Sequence, residues 1–382
     1  MISEDNQLRT PVCDMFGIEF PIFAFSHCRD VVAAVSRAGG FGVLGALAFT
    51  PDELEIELKW IDDHIEGKPY GVDLVMPANY IGKGGKQPDE AELRAMIPQE
   101  HWDYLEKILA EYNVPPLPED FNERARAAGL GVDDQATRAV EVALAHDGVR
   151  LLVNALGPPP EEVVHKAHER GRLVGALIGN KHHAQKQVDI GVDVIIAQGT
   201  EAGGHTGDVA TMVLVPGIVD AVGPDVPVLA AGGIGTGRQM AAGLALGAQG
   251  VWTGSIWLTV AEADTGQEAL DNLLAADSRG TVRSRSMTGK PARQLRTAWT
   301  DAWEAEDAPK TLPMPLQGIL WGEMARRVSR AHTKELSGFP VGQIVGRMNK
   351  VRPTHEVVFE MVQEWIATTE RLAAMLEETA VG

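Results

Sequence analysis

The stretch Gln198-Gly199-Thr200-Glu201-Ala202-Gly203-Gly204-His205-Thr206-Gly207 follows directly on Gly191-Val192-Asp193-Val194-Ile195-Ile196-Ala197. The leading run is apolar, β-branched and of strand length, the composition of a strand packed on both faces in a parallel sheet. The stretch after it is polar and rich in glycine, with a single histidine. Loops of that kind at the carboxyl ends of parallel strands are where α/β enzymes keep their chemistry. The arrangement recurs at Ala231-Gly232-Gly233-Ile234-Gly235 and at Thr253-Gly254-Ser255, each closing an apolar run. Three glycine-bearing strand ends in succession point to one bound phosphate and one positioned base, hence to a cofactor enzyme.

Outward from this centre, short apolar runs alternate with longer helical patterns, which predicts βαβ units. The predicted strands are 21–25, 41–45, 71–75, 150–154, 173–178, 192–197, 226–230 and 250–254, with helices at 30–37, 51–64, 160–170 and 237–246. Eight strands suit a closed parallel barrel, although an open doubly wound sheet could also hold them.

Two long segments break the rhythm. Between Met76 and Ala145 lie too many residues for one crossover helix. Met76 to Gly85 reads as a loop, 89–113 as helix interrupted near Pro98, and 114–118 as a proline-rich turn. Leaving the third strand at its carboxyl end, this insertion is expected to stand over the mouth as a lid, with a peripheral helical hairpin as the alternative. After Ser255 the chain runs on for more than a hundred residues, with helices predicted at 267–275 and 355–376 and the polar segment Thr288-Gly289-Lys290-Pro291-Ala292-Arg293 between them. The expected division is a barrel from 1–76 and 130–280, an insertion at 77–129 and a C-terminal subdomain at 281–382.

A chain of 382 residues exceeds the roughly 250 of a simple barrel, in keeping with such additions. With 53 acidic against 34 basic residues, the net charge of -19 argues against a nucleic-acid or anionic-membrane partner, while leaving room for a local basic pocket. The two cysteines, Cys13 and Cys28, form no metal-ligand spacing and suggest a reducing compartment. A polar N-terminus without a signal-peptide pattern, and no membrane-length apolar run, set the expectation of a cytoplasmic protein.

Gly232 and Gly233 stand between a strand and a helix beginning near Gly237. Glycines admit close backbone approach, and the first-turn amides of that helix favour an anion. Gly254 and Ser255, one strand later, could add an amide and a hydroxyl, as in barrels that build a phosphate site from their last two loops. The competing reading is that these glycines only make tight turns. No Gly-x-Gly-x-x-Gly follows the first strand, and no Walker loop is present. His205, flanked by Gly203-Gly204 and Gly207, is the acid/base candidate because imidazole titrates near neutrality. Glu161, His165 and His168 could touch a metal by spacing but read as a solvated helix face, so no metal is expected. His182 and His183 read as surface residues. His27 could contact substrate, and Cys28 reads as a small buried side chain.

These residues resemble the nitronate monooxygenase family, also called 2-nitropropane dioxygenase-like FMN proteins. The resemblance covers 21–45, 71–75 and nearly all of 151–258, and resumes at 288–293 and at Gly342-Gln343-Ile344-Val345-Gly346. It rests most on Glu201-Ala202-Gly203-Gly204-His205 joined to Ala231-Gly232-Gly233. The resemblance implies a (β/α)8 TIM barrel with FMN at its mouth; the helical insertion after strand 3, which is not general in the family, and the small C-terminal helical subdomain are read from the lengths of the two segments above. It implies His205 as catalytic base and Ala231, Gly232, Gly233, Thr253, Gly254 and Ser255 as the phosphate loops. Ala24, Phe25 and Ser26 would lay backbone along the flavin, Asp73 and Gln198 would meet the cofactor, and Gly203 and Gly204 would let the loop approach it. Many members carry Ala-Pro-Met where this chain has Ala24-Phe25-Ser26, and Asn where it has Asp73, which replaces an amide by an acceptor-only carboxylate.

The implied reaction is oxidation of a nitronate, or of a nitroalkane deprotonated by His205, by O2 to a carbonyl compound and nitrite. Two rivals stay open: an FMN enoyl-thioester reductase driven by NAD(P)H, and a flavin-free phosphate-barrel lyase or isomerase. The physiological substrate and any homodimer are left undetermined.

Overall fold

The structure is a computed structural model that describes residues 9–74, 90–118, 133–154 and 157–380. Eight parallel strands close a barrel: β1 (Ile22–Ser26), β2 (Phe41–Gly45), β3 (Tyr70–Leu74), β4 (Val149–Asn154), β5 (Leu173–Ile178), β6 (Val194–Gln198), β8 (Val228–Ala231) and β9 (Gly250–Thr253). The pairing of Ala24 with Thr253 joins the last strand to the first, which settles barrel against open sheet. A short strand, β7 (Gly204–His205), lies outside the barrel in an antiparallel sheet with β10 (Thr281–Ser284) and β11 (Ala292–Leu295). The eight predicted strands fall within two residues of those observed, with Val75 outside the described residues.

Period-two alternation divides the core. Phe23, Phe41, Val43, Leu151, Val153, Val194, Ile196, Leu229 and Trp252 fill the barrel interior. Ile22, Leu44, Val72, Leu152, Ile195 and Val251 pack outward against the helices. The helix Pro11–Phe16 joins the interior set, with the Phe16 ring edge-on to Phe23 at 5.1 Å and to Phe41 at 5.0 Å. Thr10, at its start, donates its hydroxyl to the carbonyl of Gln249, which immediately precedes β9 (2.5 Å). This helix therefore plugs the amino end of the barrel and leaves the carboxyl end for the site. Each buried ring contributes roughly 1.5–3 kcal/mol of apolar transfer.

The helices follow their sequence signals. Helix Pro51–His64 opens on a Thr50–Glu53 capping box with proline in its first turn, and buries Leu54, Leu58 and Ile61 on one stripe. The predicted helix at 89–113 is two, Glu90–Ala95 and Gln99–Glu111, parted at Pro98 as expected. Helix Asp133–Ala145 packs on Pro51–His64 and supplies the crossover between β3 and β4. The rest of the expected loop and lid, at 75–89 and 119–132, lies outside the described residues.

The tail does not stay together as one appendage. Its last helix, Thr354–Ala380, packs against Gly237–Ala245 and Arg29–Arg37 and so takes the place of the barrel's eighth helix. The approach is close: a Cβ on Gly237 would lie 2.0 Å from the Met361 carbonyl oxygen. Between β9 and that helix, Trp299, Trp303, Leu316, Leu320 and Met324 share a separate core with Leu105 and Leu109 of the insertion. Arg327, 3% exposed, donates to Glu106 across this contact and also to the Val114 and Pro115 carbonyls. The described part of the insertion thus docks on the C-terminal segment.

Candidate active site

His205 owes its position to a sheet made outside the barrel. The loop after β6 turns through Gly204 at φ +75°, and β7 then pairs with β11, His205 opposite Ala292 and Gly204 opposite Arg293. Gly203 is pressed on the C-terminal segment: a Cβ there would lie 2.8 Å from Val341 backbone. The imidazole Nδ1 stands 3.3 Å from the Pro291 carbonyl and Nε2 3.3 Å from the Thr288 hydroxyl. A carbonyl only accepts, so Nδ1 carries the proton and Nε2 keeps its lone pair, the tautomer a base requires. Burial pushes the His205 pKa below the usual histidine value; the Pro291 carbonyl opposes this and the Lys290 charge adds to it.

Neighbouring bonds hold the loop. The Glu201 carboxylate accepts from the Thr211 amide (3.0 Å) and hydroxyl (2.9 Å) at the start of helix Thr211–Val222, where the helix dipole favours a negative charge. Arg293, buried on β11, donates to the Thr200 carbonyl at 2.8 Å. The Gly342 amide donates to Ser255 Oγ at 2.8 Å, and the Gln343 amide to the Glu201 carbonyl at 2.9 Å. The segment 342–346 thereby ties the loop after β6 to the loop after β9.

The expected phosphate loops lie side by side, with one correction. Two first-turn amides of helix Gly237–Ala245, and the Gly235 amide before it, are not offered to a ligand. The Gly237 amide already donates to Glu364 Oε2 (2.9 Å), the Gln239 amide to Thr236 Oγ1 (3.3 Å), and the Gly235 amide ahead of them to Gln239 Oε1 (3.0 Å). The docked C-terminal helix and the capping residues have taken them. Amides without an acceptor among the described residues remain at Gly232, Gly233, Gly254 and Ser255. Gly232 is at φ +104°, where a Cβ would sit 2.7 Å from the Thr211 hydroxyl, and Gly233 is at φ +69°. At Gly254 a Cβ would meet nothing nearer than Phe25 Cδ1 at 3.9 Å, so that side is open. These four amides lie at the carboxyl ends of the adjacent strands β8 and β9.

Around them, Phe25, Asp73 and Gln198 occupy inward-facing positions at the carboxyl ends of β1, β3 and β6, and Asp73 is 4% exposed. Ala24 is buried toward the helices, and Ser26 Oγ accepts the Cys28 amide at 3.1 Å. Ala231 belongs to the interior set. Thr253 turns outward, donating to the Phe23 carbonyl and accepting from Trp257 Nε1, both at 2.9 Å, so its side chain serves the wall. His27 keeps accessible surface, donates from Nδ1 to the Gly45 carbonyl at 2.9 Å, and has its pKa lowered by its dense surroundings. The Cys28 thiol is buried against the Glu262 carbonyl, with its pKa raised by burial. The trio on helix Glu161–Glu169 disperses: His165 pairs with Glu169 and His168 with Asp193, while His182 and His183 are exposed.

Residues bearing on the site that sequence reading did not single out are Thr211, Glu364 and the pairing role of Thr288 and Pro291. Each acts on a partner distant in the chain or through a cap, and leaves no local signal.

A profile described as nitronate monooxygenase matches residues 9–364. A Mycobacterium tuberculosis protein named as a monooxygenase is 51% identical, covering 97% of this chain and 100% of its own length. The chain belongs to the nitronate monooxygenase family. It is an oxidoreductase, in a family whose members are in general flavin-dependent. The solved nitroalkane oxidase of Streptomyces ansochromogenes is 25% identical, with a TM-score of 0.77 over 94% of this chain and 99% of its own. An indene-carboxyl-CoA dehydrogenase of M. tuberculosis is 29% identical over 87% of this chain and 81% of its own length. No helix among the described residues is long and apolar enough to cross a membrane.

Proposed function

We propose that this nitronate monooxygenase family member binds FMN at the carboxyl end of its barrel and oxidises alkyl nitronates with O2 to carbonyl compounds and nitrite. Nitroalkanes enter the same reaction after His205 removes the α-proton. The observation that carries this reading is an imidazole with its Nδ1 proton committed to Pro291, set one strand from four unused backbone amides. Gly232, Gly233, Gly254 and Ser255 would hold the phosphate, and the backbone of Ala24 to Ser26, with Asp73 and Gln198, would border the ring. FMN, when bound, supplies the redox chemistry. The chain's part is to orient the substrate carbon, exclude water and accept a proton at His205 Nε2.

His205→Asn tests the base. Turnover of a neutral nitroalkane should fall by about 10²–10⁴-fold, the usual worth of a positioned base, while turnover of the preformed nitronate is largely kept. Equal activity of the variant on both substrates would remove His205 from the proton transfer.

A second reading, reduction of an acyl thioester by NAD(P)H through the same flavin, draws support from the similarity to a carboxyl-CoA dehydrogenase. Anaerobic bleaching of the flavin by NAD(P)H, with no nitrite formed from nitronate under air, would favour it.

A further inference from the structure

The chain carries -19, yet from Ser278 to Thr300 there is no aspartate or glutamate, while Arg279, Arg283, Arg285, Lys290, Arg293 and Arg296 all fall in that span. This span holds β10, β11 and the turn that faces His205. Two of its cations are spoken for: Arg293 is buried on the Thr200 carbonyl, and Arg296 pairs with Asp301 at 3.5 Å. Arg283, Arg285 and Lys290 are exposed and have no carboxylate partner among the described residues. Glu304 accepts the Ser284 hydroxyl (2.7 Å) and Asp277 the Arg279 amide (2.8 Å).

Arg283 and Arg285 are held close to His205, one on its loop and one on the turn that faces it, and Lys290 lies in that turn. Arg283 donates to the carbonyl of Thr206, the residue after His205, at 2.9 Å. Arg285 donates to the Gly289 carbonyl at 2.9 Å, closing the turn that carries Thr288. Lys290 precedes Pro291, whose carbonyl takes the imidazole proton, and its charge reaches His205. One donor of each arginine is used to fix the guanidinium, and the others are left over. Pre-fixed guanidinium groups at the end of the strand that leads into the turn carrying Lys290 suit a phosphorylated ligand, because arginine forks match phosphate oxygens and lose little freedom on binding. A nitronate carries a single charge and has no use for three cations outside the proton-transfer position.

We propose that Arg283, Arg285 and Lys290 form an outer anion subsite that takes the diphosphate of a nucleotide-type carrier whose reacting end lies at His205. The carrier is either the coenzyme A half of a thioester or a pyridine dinucleotide, and both present the same diphosphate to the flap. The inference rests on His205 marking the reacting end of the site, but it concerns binding and stands apart from which oxidation occurs.

The test is calorimetric titration of the flavin-loaded protein with coenzyme A and, separately, with NADPH, at low and at moderate salt. At least one should bind, and more weakly as salt rises. Arg285→Gln and Lys290→Gln should each weaken it by about tenfold, the worth of one charge-assisted hydrogen bond, while Arg285→Lys, which keeps the charge and loses the fork, should fall between wild type and Arg285→Gln. Binding of coenzyme A alone assigns a thioester carrier, and binding of NADPH alone assigns a pyridine nucleotide. No binding of either to the wild type, or equal affinity in wild type and both glutamine variants, overturns the subsite. Failure of nitroalkane turnover with binding intact would instead count against the proposed oxidation.

Discussion

At His205 the chemistry follows from which atoms the imidazole must share. The bond from Nδ1 to Pro291 fixes the tautomer, and burial lowers the pKa, so the ring stays neutral to lower pH than a solvated histidine. A base acts in its neutral form, so the acid limb of kcat/KM for a nitroalkane should lie below about pH 6.5. A limb above pH 7 in the wild-type profile would mean that another group is titrating. Gly254 offers a complementary test of the cofactor. Its φ is -132° and its added Cβ has no close neighbour, so Gly254→Ala should leave stability within about 0.5 kcal/mol. Flavin retention, read from the visible absorbance per protein, should nevertheless drop, because the new methyl group enters the space assigned to the phosphate. Unchanged retention would move the phosphate away from β9.

Among the elements, the helix after the Gly232-Gly233 loop is the instructive case. Sequence reading gave its first-turn amides to an anion, and the structure gives two of them to Glu364 and Thr236. Glu364 also receives Arg238 Nε at 3.0 Å, so one carboxylate caps this helix and binds the last helix to it. Glu364→Gln keeps the shape and removes the charge. It should cost about 1 kcal/mol in urea unfolding, typical of a lost cap and dipole interaction. The eight strands and the helices at 30–37, 51–64, 160–170 and 237–246 were legible to within a residue or two, because period-two and 3.6-residue apolar patterns are local properties of the chain; Thr211–Val222 and Leu316–Ala331, the latter in a stretch read as polar and irregular, were not. Thr50-Pro51-Asp52-Glu53 announced its helix completely. The partner of Gly237 was not legible, since it lies 127 residues away on a helix that packs there only once the barrel has closed.

In the whole molecule, the insertion and the C-terminal segment meet in a core of their own, pinned by Arg327. Arg327→Ala leaves the buried Val114 carbonyl without its donor and frees the exposed Glu106 to water, and should cost about 1–3 kcal/mol. Amide exchange should then rise in helix Gln99–Glu111 more than in the barrel strands. A uniform rise would show instead that the two segments and the barrel unfold as one unit. The same arrangement explains why a strongly acidic protein carries a basic flap over one histidine: the sheet joining β7 to β11 delivers the cationic span to that spot and nowhere else.

The alternation of β-branched runs with amphipathic helices, and the glycines at the ends of β6, β8 and β9, already specified a parallel α/β chain with its chemistry at the strands' carboxyl ends. Those are short-range patterns, written wherever neighbouring residues share a face. Closure of β1 on β9, the outward return of the chain end as the eighth helix, and the choice of Pro291 and Thr288 as partners of His205 were decided by folding. These contacts span from 83 to 230 residues, and at such separations hydrophobic pattern carries no address; only the packed barrel brings the two ends of each bond together.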